Sequence, residues 1–533
     1  MQLGRRDATR DLQADLRERA RVTRASATRT LRFGVLCIGA GLILALSFPR
    51  PAWSAGAWIA LAPLIVVALH ERPRAALRWG GIAGIIFFLV LLRWIEFTFR
   101  VYSAIPWPLT WLPALLLAAY CALYIGVFTA TISLIGHRRG PTLALLTAPF
   151  VWVATEWARG VVMGGFPWGS LGYSQSGQLT VIQIAEFGGV HAVSFVVLAV
   201  NAAIAGFTVL PRRLAGAGSA AAGLLLLSTL TFGMWRLAAT PAEDDIAISI
   251  VQPSIEQPLK WDQRHTAQTL SIYGDLTRRV THSRPDLIVW PETASPTFLR
   301  QDRELLRAIQ DLSRTSSIPL LIGSMDPDGE GRLRNTAFLV TERGIVGRYD
   351  KMHLVPFGEY IPLASALGFI KQWAEFVSEL EPGTRPEVFI GPPAPFAAVI
   401  CYEGIFPGLV RSFITRGARL VINLSNDAWF GRTSGPLQHL AMYPFRAVEH
   451  RVAVVRAANT GISAFISPAG QIVQSMGLFE RGVLTGHVPL RKQTTVYSRF
   501  GDWFAYVGLL VSGVGIAASV LSPRRGPGRA KAA

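Results

Sequence analysis

FAAVICYEGIFP, residues 396–407, runs through five unbroken apolar residues to Cys401 and then turns at once into a polar stretch containing Gly404 and Pro407. An apolar run this short, bounded by turn formers, reads as a strand buried on both faces. It sets a thiol at a strand-to-turn junction, where α/β folds gather ligand chemistry. The chain has three cysteines, and the other two, Cys37 and Cys121, lie inside long apolar runs. Cys401 therefore has no disulfide partner and stays a free thiol, the layout of a thiol enzyme.

Outward from this strand, 246–252 (IAISIVQ), 287–290 (LIVW), 319–323 (PLLIG), 336–341 (TAFLVT), 419–425 (RLVINLS) and 452–457 (VAVVRA) share the buried-strand character. Helical patterns lie among them at 265–283, 302–316, 407–417 and 436–450. Alternation of this kind predicts packed layers of sheet and helix, with enough length for one large core. Glu292 directly follows LIVWP, Lys351 follows the turn-and-strand segment GIVGRYD, and Asn426 and Asp427 follow VINLS. A thiol nucleophile must lose its proton, and burial alone opposes that. A carboxylate can act as general base, an ammonium can favour the thiolate and then the oxyanion, and a helix over 407–417 can add its positive end. One Glu, one Lys and one Cys suffice for acyl transfer through a thioester.

The rest of the chain is mostly membrane. Hydrophobic residues make up 51% and charged ones 16%, against about a quarter charged in an ordinary soluble protein; mean hydropathy is +0.36. A spanning helix needs roughly 20 mostly apolar residues, and eight stretches qualify: 33–49, 54–70, 79–98, 109–136, 141–159, 190–210, 214–235 and 503–521. Arg93, Glu96 and Glu156 interrupt the third and fifth. Lys and Arg concentrate in 1–32, 71–78, 137–140, 211–213 and 522–533, which together carry +15 of the formal +18. Positive residues at membrane ends stay cytoplasmic, so both termini are expected there and 236–502 on the far side. The first apolar run, behind a basic extension and without an A-x-A site, reads as an uncleaved anchor. The high charge is thus a topology signal, and a nucleic-acid partner is not expected.

Three motifs, WPET at 290–293, YDKMHLVPFGEY at 349–360 and CYEGIFP at 401–407, resemble the nitrilase superfamily, whose catalytic residues follow the order Glu, Lys, Cys. With seven spans before that domain and one after, the chain from about residue 33 resembles the bacterial apolipoprotein N-acyltransferase family. The resemblance implies a multi-pass α-helical membrane bundle of about eight spans plus an αββα nitrilase-like domain between the seventh and eighth. The expected divisions are a basic extension 1–32, membrane helices 33–235, a catalytic domain 236–502, a last helix 503–521 and a basic tail 522–533. Glu292 would be the general base, Cys401 the S-acylated nucleophile and Lys351 the oxyanion stabiliser. Glu359 matches a second acidic residue near the site, Tyr402 and Glu403 the segment whose backbone supplies oxyanion donors, and Trp261 and Trp429 aromatic positions of substrate binding or loop gating. Read from the residues alone, both tryptophans are equally core aromatics, Tyr402 a pocket filler and Glu403 a helix cap.

The resemblance further implies a ping-pong reaction in the bacterial inner membrane. A phospholipid, typically phosphatidylethanolamine, gives its sn-1 acyl chain to Cys401, and the amine of a diacylglyceryl-cysteine at an apolipoprotein N-terminus then attacks the thioester. No cofactor is needed and a monomer is expected. His353 and His439 lack metal-site spacing, so no metal is predicted, and Asn335 and Asn459 read as structural amides that support turns. Residues 361–377 combine apolar residues with Lys371, Trp373 and Glu375, which suits an interfacial lid or a core helix. The loop 160–189 is expected to line the substrate entrance. The basic ends read as disordered cytoplasmic segments attracted to anionic lipid. Two rival readings use the same features: a membrane-tethered carbon–nitrogen hydrolase with the same triad, and a transporter or sensor that binds amides without turnover. The intact triad and the scarcity of charge within the spans speak against the second.

Overall fold

Side chains alternate between the two faces of a strand, so a strand apolar at every position has a layer to fill on each side. The computed structural model describes residues 27–238, 245–260, 262–362, 379–391 and 394–521. Its strands are β1 (Asp245–Gln252), β2 (Leu287–Val289), β3 (Leu320–Pro327), β4 (Leu333–Thr341), β5 (Gly344–Asp350), β6 (Val388–Phe389), β7 (Phe396–Ile400), β8 (Val421–Ser425), β9 (Val454–Ala458), β10 (Ser463–Ile466), β11 (Ile472–Met476) and β12 (Gly482–Pro489). They form two six-stranded sheets, in the orders β12-β1-β2-β3-β4-β5 and β11-β10-β9-β8-β7-β6.

Ile248, Ile250, Leu287, Val289 and Leu339 of the first sheet share a core with Ala397, Val399, Ile422 and Leu424 of the second. The alternate residues Val251, Ile288, Leu320 and Phe338 pack outward on Tyr273, Leu276 and Ile309 of helices Thr266–Thr281 and Arg303–Ser316. Helices Pro407–Ile414 and Tyr443–His450 cover the second sheet. The result is an αββα sandwich, in which each fully buried branched or aromatic side chain contributes roughly 1.5–3 kcal/mol. Strands β6 and β10 to β12 were not expected from the sequence; they are short or half-exposed and carry glycine or polar residues that blur the period. Strand β12 runs antiparallel to β1 along its length, Asp245 opposite Pro489 and Gln252 opposite Gly482. The sandwich thus begins and ends on neighbouring strands, and the helices that flank it in sequence, Arg212–Leu237 and Trp503–Leu521, both pack on Ala185–Val209.

All eight apolar stretches are helical. Among the described residues, six helices are long and apolar enough to cross a membrane: Ala27–Leu46, Pro73–Leu91, Leu109–Arg139, Ala185–Val209, Arg212–Leu237 and Trp503–Leu521. Ser54–His70 is shorter, and Pro141–Val161 carries the buried Glu156 and Arg159. The Glu156 carboxylate accepts from Leu171 N and Ser194 Oγ, each at 2.6 Å, and so ties the following loop to the bundle. The first helix is described from Ala27, where Arg29 ion-pairs with Glu71 at 2.9 Å. Outward-facing Leu224, Leu227 and Trp235 are exposed, apolar surface of the kind that lipid covers. Helices 73–91 and 109–139 meet through small residues, since a Cβ on Gly84 would lie 2.8 Å from Ala122. Without a water-driven hydrophobic force, close backbone approach of this kind supplies the packing.

The sandwich is bolted to the bundle by buried polar contacts. Arg446 pairs with Glu449 at 2.6 Å and donates to Tyr173 Oη at 3.2 Å, while Glu449 accepts from Val190 N. Arg451 reaches Glu186 and Gln183, each at 2.6 Å. Gln438 accepts from Trp168 Nε1 at 2.8 Å and donates to the carbonyls of Pro49 and Leu91. Within the loop 160–189, expected to line an entrance, residues 166–175 are buried and 161–164 exposed. Gly84→Leu is expected to lower the detergent melting temperature by several degrees, from an overpacking cost of about 1–3 kcal/mol. Gly81→Leu, where an added Cβ meets nothing within 4 Å, should leave a fluorescence-detected melt unchanged.

Candidate active site

Each sheet brings its own residues to one end of the sandwich. From the first sheet, Glu292 lies three residues beyond β2, beside Thr293 at φ 46°. Lys351 follows β5 directly and donates its backbone N–H to Asn335 O at 2.8 Å. From the second sheet, Cys401 ends β7 at φ 51° and opens the 3-10 turn Cys401–Ile405. A left-handed backbone at a non-glycine residue costs on the order of 1 kcal/mol or more, and such strain clusters at functional sites.

Lys351 Nζ is 2.7 Å from Glu359 Oε1 and 3.4 Å from Glu292 Oε1, with the ammonium almost fully buried. Asn335 Nδ2 donates to Glu292 Oε1 at 2.8 Å and to Glu359 Oε1 at 3.4 Å. Val355 N holds the other Glu359 oxygen at 2.8 Å. Two carboxylates thus share one ammonium and one amide. Burial pulls the Lys351 ammonium down, but Glu359 and Glu292 outweigh it and raise it above the usual lysine range. Burial and the Glu292 charge push the Cys401 thiol well up, opposed by Lys351 and by the Asn426 backbone N–H. Cys401 therefore rests as a thiol, and for it to act as a nucleophile a base would have to take its proton.

Glu403 caps the 3-10 turn that it belongs to, accepting from the Ile400 backbone N–H, and does more than that. Its fully buried carboxylate accepts from Tyr349 Oη at 2.7 Å, Met352 N at 2.7 Å, His353 N at 3.1 Å and Ile400 N at 2.7 Å. It clasps the Cys401 turn to the segment that carries Lys351. Half-buried Tyr402 lies between Phe406 and His353, with ring centroids at 5.0 and 5.8 Å. With Ile405 and Phe406 it joins the apolar cluster of the membrane helices. The Trp429 ring stands 4.9 Å from Tyr102, and its carbonyl accepts from Thr98 Oγ1 at 2.9 Å, docking the 427–430 turn on helix Arg93–Tyr102. Trp261 and residues 363–377 of the expected lid lie outside the described residues.

Two residues of this site were not read correctly from sequence. Asn335 is an amide of the carboxylate pair rather than a turn support. Lys260 carries no motif signal beyond its place in QPLKWD. It is buried, donates to Glu292 O at 2.8 Å and bonds Thr293 Oγ1. Burial lowers its ammonium to about 8.

Residues 40–203 match the family described as Apolipoprotein N-acyltransferase N-terminal domain, and residues 247–496 the family described as Carbon-nitrogen hydrolase. A curated relative named Apolipoprotein N-acyltransferase, from Geobacter metallireducens, is 37% identical over 502 residues, covering 92% of this chain and 95% of its own. The chain belongs to the apolipoprotein N-acyltransferase family. A second relative of that name, from Caulobacter vibrioides, is 33% identical and covers 92% of this chain and 96% of its own. Among solved structures, the NitN amidase from Nesterenkonia sp. AN1 is 22% identical, covering 50% of this chain and 99% of that one at a TM-score of 0.36. The αββα sandwich is thus the carbon–nitrogen hydrolase domain of an apolipoprotein N-acyltransferase family member. The two matched segments meet directly behind Cys401, through Thr98 with Trp429 and Trp168 with Gln438.

Glu403→Ala leaves four donors without their acceptor, at about 1–3 kcal/mol for each that stays buried. The variant is expected to lose more than about 3 kcal/mol in denaturant or thermal unfolding. Lys260 gives a pH signature. Its folded value, about 8, is below the 10.5 of an unperturbed lysine, so between those limits the unfolded chain binds a proton that the folded one does not. Its contribution to stability therefore rises with pH across that window, and Lys260→Met should lack the rise in pH-dependent melts.

Proposed function

We propose that this chain N-acylates the N-terminal diacylglyceryl-cysteine of apolipoproteins, using the sn-1 acyl chain of a membrane phospholipid carried as a thioester on Cys401. The supporting observation is the position of the nucleophile. Glu292 and Lys351 both act electrostatically on the Cys401 thiol, while the residues that follow it, Tyr402, Ile405 and Phe406, belong to the apolar core of the membrane helices. A site at that border can receive acyl chains without exposing them to water.

In the first half-reaction Glu292 takes the Sγ proton, and the sulfur attacks the ester carbonyl of the phospholipid. Lys351 and backbone N–H groups of the Cys401 turn stabilise the oxyanion. The tetrahedral adduct collapses with cleavage of the ester C–O bond, and the lysophospholipid alkoxide leaves with the proton held by Glu292. In the second half-reaction the free α-amine of the diacylglyceryl-cysteine attacks the thioester. Glu292 takes the amine proton, the amide forms, and the departing sulfur recovers that proton. Glu359 holds Lys351 charged and in place throughout, and Asn335 orients both carboxylates. No cofactor enters either step.

Phosphatidylethanolamine is the proposed donor and a monomer the proposed working form. Tyr402 and Trp429 are the proposed acyl-chain contacts, and Trp261 is a proposed substrate-binding residue. The sandwich, within the proposed catalytic unit 236–502, faces the periplasm with both termini in the cytoplasm, in keeping with the Lys and Arg at 71–78, 137–140 and 211–213.

Incubation of the detergent-solubilised protein with phosphatidylethanolamine is expected to add one acyl chain to the intact mass, labile to hydroxylamine and absent from Cys401→Ala. Glu292→Gln and Lys351→Met should each slow its formation by roughly 10²–10⁴-fold. Absence of the adduct from wild type in active membranes would remove the thioester and with it this reading.

A further inference from the structure

Behind the thiol lies a fully buried polar network that the proposed acyl transfer does not use. Ser425, the last residue of β8, is 3.6 Å from Cys401 Sγ through its hydroxyl, a donor–sulfur distance within hydrogen-bonding range. The same hydroxyl is 2.9 Å from Asp427 Oδ1. Arg456 Nη2 donates to Ser425 Oγ at 3.2 Å and to Asp427 Oδ2 at 2.7 Å. His439 Nδ1 stands 3.1 Å from Asp427 Oδ1. All four of these residues are buried.

A hydroxyl carries one proton. With Arg456 filling one of its lone pairs, Ser425 can donate either to Asp427 or to the Cys401 sulfur, but not to both. The choice follows from charge. Opposite a neutral thiol, a weak acceptor, the proton belongs on the Asp427 carboxylate, because hydrogen bonds to an ionised acceptor are about twice as strong as neutral ones. Opposite a thiolate, two anions compete. Asp427 keeps the Arg456 guanidinium donor whichever way the hydroxyl points, whereas among the described residues the sulfur has the Asn426 backbone N–H on this side. The hydroxyl then gains more by turning to sulfur.

We infer that Ser425 is a further catalytic residue, a reorienting donor that turns from Asp427 to the Cys401 sulfur whenever that sulfur carries negative charge. The inference rests on the thioester reading for its place in the reaction. The sulfur becomes anionic twice, once when Glu292 removes the thiol proton and again when the amine displaces it from the acyl group. Ser425 only reorients at each point: its O–H bond is not broken, and the proton exchanged in both half-reactions remains the one that Glu292 carries.

The test reads the thiolate directly and does not require acyl transfer. Alkylation of Cys401 by iodoacetamide, followed by intact mass across a pH series in the full-length detergent-solubilised protein, reports the thiolate fraction. Ser425→Ala is expected to move the midpoint up by about one pH unit, roughly a tenfold slower alkylation at fixed pH. Ser425→Thr, which keeps the hydroxyl, should restore the wild-type profile. If Ser425→Ala does not fold, Ser425→Gly lacks the same hydroxyl and carries the same expectation. An unchanged midpoint in the hydroxyl-free variant, or a shift that Ser425→Thr shares, would overturn the assignment. A shifted midpoint in a protein that never forms an acyl adduct would keep the role of Ser425 toward the thiolate and discard the proposed acyl transfer instead.

Discussion

The Glu403 carboxylate holds the site together. Neither sheet carries a complete set of reactive groups: the first presents Glu292 and Lys351, the second presents Cys401 and Ser425. Four donors from both sides, Tyr349, Met352, His353 and Ile400, converge on this one buried anion. A buried charge without partners is among the most expensive features a fold can contain. Once satisfied by four hydrogen bonds it instead allows little relative movement of the two sheets at the point where their chemistry must meet. The strained Cys401 turn is kept in its left-handed conformation by the same clasp, since Ile400 N and Glu403 bracket the nucleophile.

The electrostatics follow from that arrangement. Lys351, Glu292 and Glu359 form one cluster in which two carboxylates face a single ammonium, and the amide of Asn335 donates to both. The cluster favours the charged form of Lys351 and the protonated form of the thiol. On the far side of the sulfur, Arg456 and His439 hold Asp427 ionised, well below the usual carboxylate range despite the burial that opposes it. The thiol therefore has two polar groupings about it, the Lys351 cluster of the first sheet and the Ser425–Asp427–Arg456 network of the second. The second grouping is continuous with the membrane bundle, because the turn after Asp427 packs on Thr98 and Tyr102 and His439 lies against Trp168.

Much of this was legible in the residues. The apolar runs ending at Trp290 and Cys401 announced buried strands, and the polar residue after each stood out because a charge or thiol at such a place rarely lacks a partner. The eight apolar stretches were visible by composition, and each is helical. Harder to see were strands β10 to β12, whose mixed polarity has no clean period of two, and Lys260, Ser425 and Arg456, which look ordinary in sequence. Asn335 was assigned to a turn because an amide in a strand gives no hint of the carboxylates it will face. The loop 160–189 looked like an entrance because glycine and aromatic residues suit an interface; the burial of Trp168 under Gln438 came from packing that no local pattern encodes.

Local patterns in the sequence by themselves determined most of the strands and helices, which segments are apolar enough for a membrane, and which three residues are the candidates for the chemistry, since hydrophobic periodicity and side-chain reactivity are properties of short stretches of chain. Only the tertiary structure decided which groups share a proton or a charge: that Glu359 and Glu292 divide one lysine, that Glu403 binds rather than reacts, and that Ser425 reaches the sulfur. Those relations depend on distances of about 3 Å between residues tens to hundreds of positions apart. Chain order does not specify such distances, and packing two sheets on each other and on a helical bundle does.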